Sequence, residues 1–140
     1  MRILILLLCA LMGCAKQEQP LAQLKEVFQK TWVEHNPSEV KRYYHPDFKL
    51  YSNSEEIDLA SYLQTREAEM ADPAIGYAFD YDENTFVAHG DKAAARFWLT
   101  VSKTGTPPKK TEVILIVQLK DGLIYRIWEV LYPSNPVSTS

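Results

Sequence analysis

The fold is decided near the end of the chain, by residues 112–130, which read EVILIVQLKDGLIYRIWEV. Two apolar runs flank the pair Asp121-Gly122, a strong signal for a tight turn between antiparallel strands. The first run, Glu112 to Leu119, is apolar at consecutive positions, so we expect both of its faces to be covered. The second run, Leu123 to Tyr132, is expected to be the last strand. This stretch therefore predicts a long β-hairpin.

Helical periodicity dominates the first half of the chain. Apolar residues recur there at three- and four-residue spacing, as on one face of a helix: Leu21, Leu24, Val27, Phe28, Thr31 and Trp32. Asn36-Pro37 predicts the start of a second, short helix, with Asn36 as its cap, that ends before His45-Pro46. Asp58 is expected to cap a third helix, which ends at Asp72-Pro73.

Beyond Pro73 the apolar period changes to two. Residues 77–81 alternate aromatic and small or acidic side chains, and residues 93–101 form the next predicted strand, followed by a loop at 103–110. Residues 48–52 predict one further short strand between the second and third helices. Helices first and strands afterwards are typical of an α+β domain.

The first 13 residues have the composition of a secretory signal peptide. Met1-Arg2 precedes an apolar run from Ile3 to Met12 that is too short for a bilayer span, which takes about 20 residues. Leu11-Met12-Gly13-Cys14 resembles the lipobox of bacterial lipoproteins, in which the cysteine is lipidated and begins the mature chain. The alternative is an ordinary cleaved signal with a chance cysteine.

The lipobox resemblance implies how the chain is divided into segments and where in the cell the protein is located. Residues 1–13 are the expected signal peptide, residues 14–20 the lipidated Cys14 with a tether, residues 21–133 one domain and residues 134–140 a disordered tail. Acyl chains such as palmitate on Cys14 anchor such proteins in the bacterial cell envelope. Since Ala15 rather than Asp follows the cysteine, we expect the outer membrane, facing the periplasm, where two membranes are present.

Composition excludes several functions from the domain. Cys9 and Cys14 are the two cysteines of the chain, one in the signal and one at the lipid, so neither a disulfide nor a thiolate site is expected. The net charge of −3 and the lack of a basic run argue against nucleic acid as a partner. The three histidines are not at metal-ligand spacing. We predict no metal and no cofactor.

The order of elements resembles the nuclear transport factor 2-like superfamily, in particular its SnoaL-like branch. The similarity rests on Tyr44-His45-Pro46-Asp47-Phe48 leading into a strand, and on Asp121-Gly122-Leu123-Ile124 followed by Trp128-Glu129-Val130. The fold that this resemblance implies is a cone: a curved antiparallel sheet wrapped around three N-terminal helices, with a pocket at its open end. Members of the superfamily include isomerases, epoxide hydrolases, polyketide cyclases and transport adaptors.

The catalytic residues of these enzymes are not matched in this chain. Counted from Asp47, the position of the isomerases' general base holds Ser52, and the position of their oxyanion-hole tyrosine holds Phe28. The cyclases commonly carry an acidic residue four positions after the tryptophan, and this chain has Tyr132 at that position. Arg96 has no carboxylate two residues away on either side, as the epoxide hydrolases' Asp-Arg-Asp set requires.

Glu129 is therefore the best candidate for a catalytic group. On strict alternation it shares a strand face with Tyr125, Ile127 and Leu131, and burial against the pocket would raise its pKa and favour a role as a base. A surface carboxylate is the alternative. The resemblance further implies that aromatic residues line the cone and bind a small hydrophobic ligand, and five are candidates: Tyr44, Tyr51, Tyr62, Trp98 and Trp128.

Three functions are consistent with these residues. The first is a lipid-anchored protein that binds a small hydrophobic ligand or a protein partner without catalysis. The second is a SnoaL-like isomerase, hydrolase or cyclase that uses general acid/base chemistry, which a buried Glu129 facing aromatic walls would favour. The third is a homodimer or an interaction module, which would expose an apolar sheet face in the monomer.

Overall fold

A computed structural model describes residues 19–133, and it has the predicted α+β architecture. The first helix, α1, covers residues 19–28 and continues as a π-helical turn over Gln29–Val33. A 3-10 helix follows at Pro37–Tyr43, and α2 spans Leu59–Met70. The predicted signal peptide, Cys14, most of the tether and the C-terminal tail lie outside the described residues.

Two of the three helix predictions are confirmed in detail. All six residues of the predicted apolar face of α1 and its π turn are buried, and the Asp58 side chain caps α2 by accepting a hydrogen bond from the Ser61 amide at 2.9 Å. The second helix is correctly located, but it is a 3-10 helix and Asn36 makes no side-chain cap to it. Instead, the Asn36 side chain accepts a hydrogen bond from the Ser38 hydroxyl.

Within residues 19–133, seven strands form one curved sheet against these helices. They are β1 (Tyr44–Ser52), β2 (Glu55–Asp58), β3 (Ile75–Tyr81), β4 (Val87–His89), β5 (Lys92–Lys103), β6 (Thr106–Lys120) and β7 (Leu123–Pro133). The spatial order is β2-β1-β7-β6-β5-β3, with β4 also paired to β5. The predicted loop at residues 103–110 is mostly strand, because β6 begins at Thr106 directly after a tight turn.

One strand pair departs from the antiparallel expectation. β1 runs parallel to β7, whereas every other pair described is antiparallel, so the sheet is mixed. Parallel neighbours require a long connection, and here most of the domain lies between β1 and β7. The register places Ser52 opposite Glu129.

The predicted hairpin is present, and its two faces differ. Asp121 and Gly122 both have positive φ, as a two-residue hairpin turn requires. On β6 the inward side chains Val113, Leu115 and Val117 are buried, but Ile114 and Ile116 are exposed. Within one copy of residues 19–133 the helices cover one face of β6 only, and a cover for the other face stays a prediction.

No helix among residues 19–133 is long and apolar enough to cross a membrane. The buried core joins α1, α2 and the concave face of the sheet, with Phe48, Phe97, Leu24 and Ile127 among its most buried large side chains. This packing leaves a space between the helices and part of the sheet, formed by residues 97–101 of β5, 111–113 of β6 and 127–131 of β7.

Candidate functional site

A mostly apolar cavity of about 410 Å³ lies between the helices and the concave face of the sheet. This volume is within the range of small-molecule sites. Apolar and aromatic residues from both helices and from six strands make up most of its wall. Its ionisable and polar side chains are few: Ser52, Tyr62, Arg66, Glu69, Tyr77, Thr111 and Glu129.

Glu129 lies in this wall, which is the first of the two positions that the sequence left open for it. Ile127 and Leu131 share its face of β7 and also line the cavity. Its carboxylate accepts a hydrogen bond from the Ser52 hydroxyl across the parallel pair, Oγ to Oε1 2.8 Å. Burial raises the pKa of Glu129, while the Ser52 hydrogen bond and the charge of Arg66 oppose that shift to a smaller extent.

The alternation of side chains between the two faces of β7 is interrupted before Glu129. One of the residues predicted to share its face therefore lies elsewhere. The pairing with β6 shifts between Gln118 and Leu119, so that Tyr125 is an extra residue on β7. As a result Ile124 and Ile127 are both buried, and Tyr125 contacts the imidazole of His45 instead of the cavity. The predicted grouping of Glu129 with Tyr125 is therefore wrong, whereas its grouping with Ile127 and Leu131 is confirmed.

Two further ionisable side chains, Arg66 and Glu69, reach the cavity from α2. The Arg66 guanidinium contacts the Glu69 carboxylate through Nη2, at 3.1 Å to Oε2 and 3.2 Å to Oε1. It also lies over the Trp32 ring, 4.5 Å from the centroid. Burial raises the pKa of Glu69, and the charge of Arg66 partly offsets the effect. The Arg66 guanidinium is thus held at the cavity wall by its contact with the Glu69 carboxyl group.

Tyr44 and Tyr62 form a buried pair of hydroxyls beside the same cavity. The Tyr44 hydroxyl donates to the Tyr62 hydroxyl at 3.1 Å, and both side chains are buried. Burial raises the pKa of both tyrosines, so both stay protonated near neutral pH. Tyr62 lines the cavity, and Tyr44 supports it from behind without being part of the lining.

Phe28 supplies the aromatic floor at the position where the isomerases carry a tyrosine. Its ring stacks on Phe79 at 5.3 Å and meets the edge of Phe97 at 5.8 Å. A phenyl ring offers no hydroxyl, so this wall of the cavity is apolar. Ser52, at the position of the isomerases' base, contributes a hydroxyl that is bonded to Glu129.

Three of the predicted ligand-binding aromatics lie away from the cavity. Trp128 points to the opposite face of β7 and is 37% exposed, where it stacks with Tyr51 at 5.9 Å. Trp98 packs under the guanidinium of Arg96, 4.6 Å from the centroid, and Arg96 is in turn paired with Glu112 and Asp82. Of the five candidates, the structure brings Tyr62 to the cavity, with Tyr44 behind it.

Arg66 and Glu69 are not among the site residues predicted from the sequence. A signal for them existed: Tyr62, Arg66 and Glu69 follow at intervals of four and three residues, which places them on one face of α2. Among residues 19–133, no group of three or more His, Cys, Asp or Glu side chains is positioned to hold a metal ion.

No protein-family model matches this chain, and no curated protein matches it. Solved structures do. An LEH-like epoxide hydrolase from M. tuberculosis is 11% identical, with a TM-score of 0.66 over 82% of this chain and 84% of that one. A candidate ketosteroid isomerase from Kribbella flavida is 16% identical, with a TM-score of 0.63 over 89% of this chain and 86% of that one.

A third neighbour is a candidate SnoaL-like polyketide cyclase from Jannaschia sp. It is 12% identical, with a TM-score of 0.63 over 83% of this chain and 87% of that one. All three have the nuclear transport factor 2-like fold, and at these identities the likeness shows the fold and nothing finer.

Proposed function

Having the nuclear transport factor 2-like fold, this chain has a cone with a pocket, and we propose that the pocket is an active site. In this proposal a small, mostly apolar substrate binds in the cavity and Glu129 transfers a proton to or from it. The observation that carries the proposal is the position of Glu129, a partly buried carboxylate among apolar walls. Neighbouring structures that include hydrolases, isomerases and cyclases support it at the level of the fold.

The surroundings of Glu129 fit a base. The apolar walls reduce the contact of the carboxylate with water, which raises its pKa and makes its ionised form a stronger proton acceptor. The Ser52 hydroxyl fixes Oε1 and leaves the other oxygen for a substrate proton. Phe28 and Ser52 replace the isomerases' tyrosine and base, so the site of proton transfer moves from β1 to β7. Ligand binding without catalysis is the alternative that the assay below separates.

The experiment is a Kemp elimination, which reports a carboxylate base in an apolar cavity whatever the natural substrate is. With 5-nitrobenzisoxazole, the base takes the carbon-bound proton, the N–O bond breaks and a coloured cyanophenolate forms. Wild-type protein is expected to accelerate this reaction, and Glu129→Gln to lower the rate by about 10²-fold or more. Glu67→Gln removes an exposed carboxylate of α2 and is the matched control.

The result that decides between catalysis and binding is the response to Glu129→Gln. Turnover that Glu129→Gln and Glu67→Gln leave equally unchanged would show that Glu129 is not the base. Tight binding of 5-nitrobenzisoxazole without turnover would favour the non-catalytic ligand-binding function.

We further propose that the chain is anchored in the bacterial envelope by lipid on Cys14. The lipobox-like residues Leu11 to Cys14 support this, and Ala15 supports the outer membrane over the inner in a two-membrane cell. Cys14→Ser should leave the protein without lipid and move it from the detergent phase to the aqueous phase in a phase-partition experiment. Cys9→Ser is the matched control and should stay in the detergent phase. If the Cys14→Ser protein partitions as the wild type does, the anchor is not at Cys14.

A second copy of the chain is the proposed partner for the outer face of the sheet. Five large apolar side chains lie exposed there on β6 and β7: Ile114, Ile116, Trp128, Val130 and Tyr132. The register pairs Ile114 with Val130 and Ile116 with Trp128, and Tyr132 follows on the same face of β7, so the five form one contiguous patch. Contiguous apolar patches mark interaction sites, and a two-fold axis lets one patch cover its own copy.

Sedimentation of the full chain carrying Cys14→Ser tests this dimer. We expect a dimer at micromolar concentration, and a monomer after Ile116→Lys. Val87→Lys changes an equally apolar residue that is 64% exposed on β4, outside the patch, and should leave the dimer intact. A monomeric parent protein at high micromolar concentration would contradict the proposal.

A further inference from the structure

The start of α1 lies at one end of the domain, beside two turns of the sheet. Gln19, the first described residue of α1, lines a surface groove together with Gly90 of the β4–β5 turn and Gly122 of the β6–β7 turn. The Gln23 side chain, one turn further along the helix, donates a hydrogen bond to the Gly122 carbonyl, with 3.1 Å between Nε2 and O. Pro20 is fully buried, so the start of α1 is fixed against this end, which we call the turn end.

The cavity opens at the opposite end of the domain. Near the turn end, the concave face of the sheet is covered by buried side chains that are not part of the cavity wall, such as Ala93. Farther along β5, the cavity wall changes from Phe97, which is 2% exposed, to Val101, which is half-buried. Along β7 it changes in the same way, from buried Ile127 to half-buried Leu131. The mouth of the cavity therefore lies at the ends of these strands that are remote from the start of α1.

The distance between the two ends exceeds the reach of the chain that precedes α1. Lys92 at the turn end and Val101 at the mouth are nine residues apart in β5, which corresponds to about 30 Å. Five residue steps separate Cys14 from Gln19, and five steps span at most about 18 Å. If the mouth faced a membrane that holds Cys14, Gln19 would lie about 30 Å above the membrane surface and out of reach.

We infer that the anchored domain points the mouth of its cavity away from the membrane, so that the ligand enters from the aqueous compartment and not from the bilayer. This inference rests on the proposed anchor at Cys14 and on the proposed function of the cavity. A domain lying on its flank is not favoured, because the net charge of −3 gives no attraction to anionic headgroups. The ligand is then a small apolar molecule that reaches the mouth through water, rather than a lipid taken from the membrane.

Energy transfer from the two ends of β5 to the membrane tests this orientation. Lys92→Cys and Thr104→Cys place a fluorescent label at the turn end and at the exposed hairpin tip beyond the mouth, about 40 Å apart. Cys9 lies in the expected signal peptide and Cys14 carries the lipid in this proposal, so the introduced thiol is the one that is labelled. The lipidated protein is placed in vesicles with acceptor-labelled headgroups. Transfer from position 92 should be at least about threefold more efficient than from position 104.

A longer tether is the matched control. A flexible Gly/Ser segment of about 20 residues, inserted between Ala15 and Lys16, raises the average reach of the tether to about 28 Å and its maximum far beyond that. The mouth can then turn toward the membrane, and the difference in transfer between positions 92 and 104 should shrink. A difference that stays unchanged would show that the length of the tether does not set the orientation.

The outcomes separate the orientation from the anchor on which it rests. Equal transfer from both positions with the natural tether, or stronger transfer from position 104, would refute the orientation and leave the anchor in place. If neither position transfers energy to the membrane, the proposed anchor at Cys14 is absent and the orientation falls with it.

The source of the ligand is tested with N-phenyl-1-naphthylamine, a small apolar probe that dissolves in membranes and slightly in water. Its arrival in the cavity is followed by energy transfer from tryptophan, since Trp32 lines the cavity. The probe is supplied either in the vesicles that carry the protein or in separate vesicles, and uptake should proceed at the same rate because the probe passes through water in both cases. Faster uptake from the protein's own vesicles would show entry from the bilayer and refute the inference. If the probe binds in neither case, the proposed function of the cavity fails for molecules of this kind, while the two labels still decide the orientation.

Discussion

Replacing Glu129 by Gln should make the domain more stable at neutral pH and should flatten the dependence of its stability on pH. Burial raises the pKa of Glu129 in the folded state above its ordinary value of 4.5. The folded protein therefore binds a proton more tightly than the unfolded chain does. The resulting stabilisation is fully present below the unfolded pKa and is lost as the pH rises through the folded pKa. Gln does not titrate, so the variant avoids this loss.

The size of the effect follows from two opposing contributions at the Glu129 carboxylate. A hydrogen bond from Ser52 to a charged acceptor stabilises by about 1.5–3 kcal/mol, and desolvation of the carboxylate costs more than this, since the net pKa shift is upward. Gln keeps a neutral hydrogen bond to Ser52 and has no charge to desolvate. A gain of about 1 kcal/mol at neutral pH, or roughly 4 °C in Tm, is expected.

The assay is urea unfolding of wild type, Glu129→Gln and Glu67→Gln at several pH values from 4 to 8. The free energy of unfolding of Glu129→Gln minus that of wild type should be near zero at pH 4 and should grow toward pH 8. Glu69, whose pKa is also raised by burial, is present in all three proteins and cancels in the difference. A difference that is constant across this pH range would refute the claim that Glu129 is desolvated in the folded state.

Three predictions concern the elements that build the cone, each measured by urea unfolding. Gly122→Ala should cost about 1 kcal/mol, because Gly122 has φ +75° in the β6–β7 turn; no change would show that the turn tolerates a side chain. Leu115→Ala should cost about 2–5 kcal/mol at a side chain that is 1% exposed, whereas Ile116→Ala on the opposite face should cost clearly less in the monomer. Asp58→Ala should cost about 1 kcal/mol by removing the cap of α2, and Asp58→Ser should restore most of it.

Glu129 shows how far a candidate site follows from sequence. Alternation on the strand correctly groups Glu129 with Ile127 and Leu131, but it leaves open whether that face meets a pocket or solvent, and the packing of the helices against the sheet decided this. The five aromatic candidates were chosen by residue type, which carries no information about the side of the strand. Alternation from Ile127 and Glu129 places Trp128 on the opposite face of β7, and the structure shows it there, stacked with Tyr51 across the parallel β1–β7 pair.

Local patterns in the sequence determined the elements and their order: the buried face of α1, the Asp58 cap and the Asp121-Gly122 turn. These depend on contacts within a few residues, which a periodicity or a turn preference records. Only the tertiary structure decided what meets in the cavity. The contact between Ser52 and Glu129 joins residues 77 positions apart through a parallel strand pair, and the cavity brings Arg66 of α2 into the same wall. Such contacts arise from the packing of segments that are distant in the chain. This packing produces no periodic pattern in the sequence, so the sequence does not predict these contacts.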